Sequence, residues 1–157
     1  MLFNLFKKKV EPIRLQQIIV KRKGNKNIYV GQIVSIEGDI GTDSIKYTLN
    51  SYQEGCISNK ITKEYEELCE KYRYAIIKDF NDEKIDARVI CCDGYLQRLK
   101  VKLNDNFDNG NSFIIKEDTL YDNGKIIGKI VGNKYDSNSN IAFNELDNDR
   151  LVVFIRK

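Results

Sequence analysis

Residues 85–103 read IDARVICCDGYLQRLKVKL. How this stretch folds decides how the rest of the chain is arranged. Its first half alternates: Ile85, Ala87, Val89 and Cys91 share one face, Asp86, Arg88 and Ile90 the other. Its second half alternates too, with Tyr95, Gln97, Leu99, Val101 and Leu103 against Leu96, Arg98, Lys100 and Lys102. Two such runs around a Cys-Cys-Asp-Gly turn predict an antiparallel hairpin. A two-residue turn would set Val89 against Arg98 and mix the faces. A three-residue loop of Cys92, Asp93 and Gly94 restores the register, with Gly94 supplying a positive φ. Cys91 is then a core residue and Cys92 the first of the turn.

The two cysteines raise a second question. Neighbouring side chains of an extended chain point apart, and Cys56 and Cys69 add no C-x-x-C pair. The spacing therefore predicts free thiols, with no metal and no cofactor.

Outward from this stretch the chain reads as mostly strand. RLQQIIVKRK from Arg14, IYVGQIVSIEGD from Ile28 and SIKYTLNSY from Ser44 predict three strands in the first third. One helix is expected next. Thr62 caps it, Glu64 and Glu66 occupy its first turn, and Tyr65, Leu68, Cys69 and Tyr72 form one stripe running on to Ile76. YAIIKDF, residues 74–80, suits an extended segment equally well. Further strands are expected in NSFIIKEDTL, KIIGKIVG and RLVVFIRK, separated by Asn109-Gly110, Asn123-Gly124 and YDSNSN. The last two strands are apolar on both faces and must be covered on both. The polar residues 104–112 mark a candidate sub-boundary. The reading is α+β and mostly antiparallel β: a small barrel or sandwich-like sheet with one central helix, in a single domain over residues 13–157.

The chain has 157 residues, 41% hydrophobic, a size that supports a proper core. It contains no histidine, which excludes Ser-His-Asp and Cys-His catalysis and histidine zinc sites. No apolar run is long enough to span a bilayer, and the opening MLFNLFKKKV carries its charge after a short apolar patch, unlike a secretory signal. A cytoplasmic protein is expected. In residues 1–12, Leu2, Phe3, Leu5 and Phe6 have helical spacing and precede Lys7, Lys8 and Lys9, which makes this segment a candidate contact with a partner.

Other constellations were weighed on their chemistry. DNFDNGNSFIIK, from Asp105, fails as a calcium loop because Phe107 and Lys116 stand where oxygen ligands belong. GKIIGK, residues 124–129, has too few residues between its glycines for a phosphate-binding loop. Glu37, Asp39 and Asp43 gather acid groups that an acid-dependent enzyme would need. Arg88, Arg98, Lys100 and Lys102 form a candidate basic face for nucleic acid. No catalytic residue is expected. The sequence supports first a structural or protein-interaction module, a subunit of a larger assembly or a homo-oligomer. A nucleic-acid-binding small barrel is second and an acid-dependent enzyme third.

Overall fold

The described residues contain twelve strands: β1 (Arg14–Lys21), β2 (Ile33–Glu37), β3 (Lys46–Leu49), β4 (Gln53–Cys56), β5 (Tyr74–Phe80), β6 (Lys84–Cys91), β7 (Gly94–Leu103), β8 (Ile114–Lys116), β9 (Thr119–Asp122), β10 (Lys125–Ile130), β11 (Ile141–Asp147) and β12 (Arg150–Arg156). They come from a computed structural model that describes residues 13–22, 27–37, 46–49, 53–56, 71–132, 136 and 139–157. Residues 62–70 of the expected helix, the N-terminal segment 1–12 and the loop bearing Asp39 and Asp43 lie outside the described residues. Among the described residues only Lys71 is helical, and the region where the helical stripe was to continue, from Tyr74, is β5. The strand wins there because Ala75 and Ile77 face one core while Ile76 faces another, a period-2 demand that a helix cannot meet.

The strands form two antiparallel six-stranded sheets, in the order β1-β6-β5-β2-β3-β4 and β11-β12-β7-β10-β9-β8. The first is built from residues before Cys92, the second from residues after it. The expected hairpin is therefore absent. β6 pairs with β1 and β5, while β7 pairs with β12 and β10. Cys92 and Asp93 carry the chain from one sheet to the other. Gly94 is needed for a different reason from the one expected. It has no positive φ among the described glycines. A Cβ there would strike the Ile155 carbonyl and come within 2.5 Å of the Phe154 ring.

Each sheet curls around its own core. The edges β1 and β4 of the first sheet approach each other, giving it a half-barrel form. Ile18, Val20, Val34, Ile77, Ile85 and Val89 fill it. The second encloses Leu99, Val101, Leu120, Leu146, Leu151 and Val153. Its outermost strand β11 is joined to the residues leading into β8. Gly110 N donates to Leu146 O and Leu146 N to Asn111 O, both at 2.8 Å. Asn144 completes the join by mimicking a strand: its Oδ1 accepts from Phe113 N and its Nδ2 donates to Phe113 O, each at 2.7 Å. Residues 104–112 thus connect two strands of one sheet.

A third cluster joins the sheets. Ile33, Ile76 and Ile90 from the first meet Phe154 from the second, with Leu15, Leu96 and Phe143 at the margins. Tyr74 packs edge-on against Phe154, ring centroids 5.6 Å apart. This seam explains why β12 is apolar on both faces. Leu151, Val153 and Ile155 enter the second core, while Phe154 enters the seam. β10 differs. Its Ile127 is buried, yet Ile126 is 54% exposed.

Candidate interaction surface

Two features of the second sheet stand out, one buried in the seam and one open. The buried feature is Glu145 on β11, 2% exposed. Cross-strand register sets it in a row with Val152 of β12 and Arg98 of β7, on the face turned toward the first sheet. Its Oε1 accepts a 2.8 Å bond from Ile33 N at the start of β2, tying the two sheets together. Its Oε2 and the nearby Tyr29 hydroxyl are buried beside one another and bond to no third group among the described residues. Gln32, also buried, accepts from Tyr29 N through its Oε1 at 3.3 Å. Burial pushes the Glu145 carboxyl up to about 8; the Asp147 carboxylate adds to this, while the Ile33 bond, the Tyr29 hydroxyl and Arg98 oppose it. Burial, then the charges of Glu145 and Asp147, push the Tyr29 phenol far up as well. At neutral pH Glu145 is therefore a neutral acid holding a backbone amide. Next to it a groove of about 440 Å³ opens between the sheets, with Ile33, Ile76 and Lys78 on one wall and Phe113, Ile114 and Tyr121 on the other.

The open feature is the outer face of β8, β9 and β10. Ile114, Tyr121 and Ile126 are direct cross-strand partners. They form one apolar row, with Ile114 61% exposed. Lys116 lies over the Tyr121 ring, 5.5 Å from its centroid. Asn123 and Gly124, both at positive φ, form the two-residue hairpin loop between β9 and β10. The adjacent row runs Lys116, Thr119, Lys129, Lys102 across β8, β9, β10 and β7. On the other side of β7, Lys100 faces Arg150 of β12, and Arg150 in turn faces Asp147.

The structure thus unites three of the four expected basic residues, Arg98, Lys100 and Lys102, on β7. Arg88 is on β6 in the other sheet, ion-paired with Asp86. Leu2, Phe3, Leu5, Phe6, Lys7, Lys8 and Lys9, like Asp39 and Asp43, are outside the described residues. Cys91 is half-buried against the first core and Cys92 half-buried in the seam, both as free thiols. Burial pushes the Cys92 thiol up, opposed by Arg156. The described residues contain no group of three or more acidic or thiol side chains suited to a metal. No described helix is long and apolar enough to cross a membrane.

Sequence reasoning missed Glu145, Lys129, Arg150 and the apolar row. The signal for the row was present in KIIGKI, where consecutive isoleucines guarantee one on each face. Nothing local distinguished Glu145 from any solvated acid, because its burial comes from β2, 112 positions away in sequence. No protein-family model, curated protein or solved structure matches this chain.

Proposed function

We propose that this chain is a non-catalytic protein-interaction module, a cytoplasmic subunit that assembles through the outer face of β8, β9 and β10. The observation that carries the reading is the row of Ile114, Tyr121 and Ile126, aligned in register, with Tyr121 half-buried between two isoleucines that are open to solvent. Contiguous exposed apolar surface of this kind marks protein contacts in soluble chains. The favoured occupant is a second copy of the chain. The row is self-complementary, since a two-fold axis through Tyr121 would lay Ile114 of one copy beside Ile126 of the other. The free thiols Cys91 and Cys92 support a reducing compartment. The N-terminal residues Leu2, Phe3, Leu5 and Phe6, with Lys7, Lys8 and Lys9, belong to the same reading as an additional contact.

Sedimentation velocity tests it. The wild-type chain is expected to sediment as a dimer and the Ile126→Glu variant as a monomer with an unchanged melting temperature. Identical sedimentation of the two refutes the surface. Removing residues 1–9 in the same assay tests the N-terminal contact separately. A second reading, nucleic-acid binding, is favoured by a different observation, the lysine-rich rows on the same sheet.

A further inference from the structure

We infer that the outer face of β12, β7 and β10 binds the phosphodiester backbone of a single-stranded nucleic acid. Lys102 stands directly opposite Lys129, and Lys100 directly opposite Arg150. Directly opposed like charges destabilise a sheet pair. Two such pairs share the central strand β7, on consecutive outward positions. Neighbouring strands are about 4.8 Å apart and same-face residues about 6.8 Å apart along a strand, so four cations occupy a block roughly 10 Å by 7 Å. The row continues past Lys129 through Thr119 to Lys116.

Acidic groups offset this block at one end. Asp147 opposes Arg150, and the Asp149 carboxylate is 3.9 Å from Arg150 Nε. Glu117 and Asp118 occupy the β8–β9 turn. Lys100, Lys102 and Lys129 are exposed and make no ion pair among the described residues. A chain of phosphates laid across them would relieve their mutual repulsion and release counterions. The single strand is favoured over other polyanions by Tyr121, one row away on the same face. Proteins that hold single strands combine a basic track with aromatic rings on which bases stack.

The assembly reading also uses Tyr121, so the variants that separate the two are at Lys102 and Lys129, which lie outside the apolar row. The probe is a fluorescein-labelled oligothymidylate of about 20 nucleotides, titrated by anisotropy from roughly 50 to 200 mM salt. Log affinity should fall linearly with log salt, with a slope near −0.7 for each phosphate neutralised, hence about −2 to −3 overall. The double variant Lys102→Gln with Lys129→Gln should bind about tenfold more weakly, with a slope shallower by about 1.4. Its melting temperature should hold or rise, since an opposed pair of like charges is gone, so a folding defect cannot imitate the result. Tyr121→Leu keeps the apolar row but removes the stacking ring. It should weaken oligonucleotide binding about tenfold at unchanged slope and unchanged melting temperature. The inference is overturned if the wild-type chain shows no salt-dependent binding at low salt, or if the double variant binds as the wild type does. It is equally overturned if phosphatidylserine vesicles bind the chain and the oligonucleotide does not.

Discussion

Stability should fall as pH rises from 5 to 8, and Glu145→Gln should abolish that fall. A carboxyl ordinarily titrates near 4.5; burial holds the Glu145 proton up to about 8. The folded chain therefore binds more protons than the unfolded chain between these values. Stability must then decline with rising pH across that window. The contribution is complete below pH 4.5 and lost as pH passes 8. The proton held over this interval corresponds to about 5 kcal/mol at most, near 1.4 kcal/mol per pH unit. Against the 5–15 kcal/mol that typically separates folded from unfolded domains, roughly a third or more is at stake. The groups facing Glu145 are Tyr29, Gln32, Ile33 N, Asp147 and Arg98. A glutamine keeps the acceptor for Ile33 N and cannot ionise. At pH 5 the Gln variant should lie within about 1 kcal/mol of wild type, the scale of one net hydrogen bond. At pH 9 it should be more stable by about 3–5 kcal/mol. Urea unfolding at pH 5, 6.5, 8 and 9, followed by tyrosine fluorescence, measures both. A wild-type midpoint that is flat from pH 5 to 8 refutes the reasoning, as does a Gln variant that keeps the wild-type slope.

Tyr29→Phe removes the buried hydroxyl beside Glu145 and should change stability by less than about 1 kcal/mol; a larger loss on thermal melting means that the hydroxyl carries a strong bond to the Glu145 carboxyl. Asn144→Ala removes both bonds to the Phe113 backbone and should cost about 1–3 kcal/mol, with amide exchange rising first at residues 110–113. Exchange that rises uniformly would show that Asn144 does not hold the β11 join. Gly94→Ala drives a methyl group into Phe154 and the Ile155 carbonyl and should cost about 1–3 kcal/mol or more by thermal melting, so an unchanged melting temperature would rule out the close approach. Phe154→Ala empties the seam and should cost about 3–5 kcal/mol, measured by urea unfolding, and a cost under 1 kcal/mol would mean that the sheets do not depend on it.

The sequence by itself determined that the chain is mostly antiparallel strand and which way the residues of several strands face. The alternation in β7 placed Leu99 and Val101 inside and Arg98, Lys100 and Lys102 outside, because a period of two is a property of the single extended chain. Asn123 and Gly124 announced their hairpin because only a few residues accept positive φ at both central positions. RLVVFIRK, apolar on both faces, required cover on two sides. The pairing of strands was not legible, because alternation looks the same whichever neighbour a strand takes. That is why residues 85–103 read as a hairpin, although β6 and β7 belong to different sheets. β5 was ambiguous for a related reason: its apolar run satisfies helix and strand alike until two cores claim opposite faces. β11, IAFNELD, was missed as a strand, since its polar Asn144 and Glu145 are justified only by Phe113 and Ile33 far along the chain. The buried acid, the seam and the opposed lysines exist only once distant segments meet. Burial and cross-strand register are properties of neighbours in space, and the tertiary structure alone chooses those neighbours.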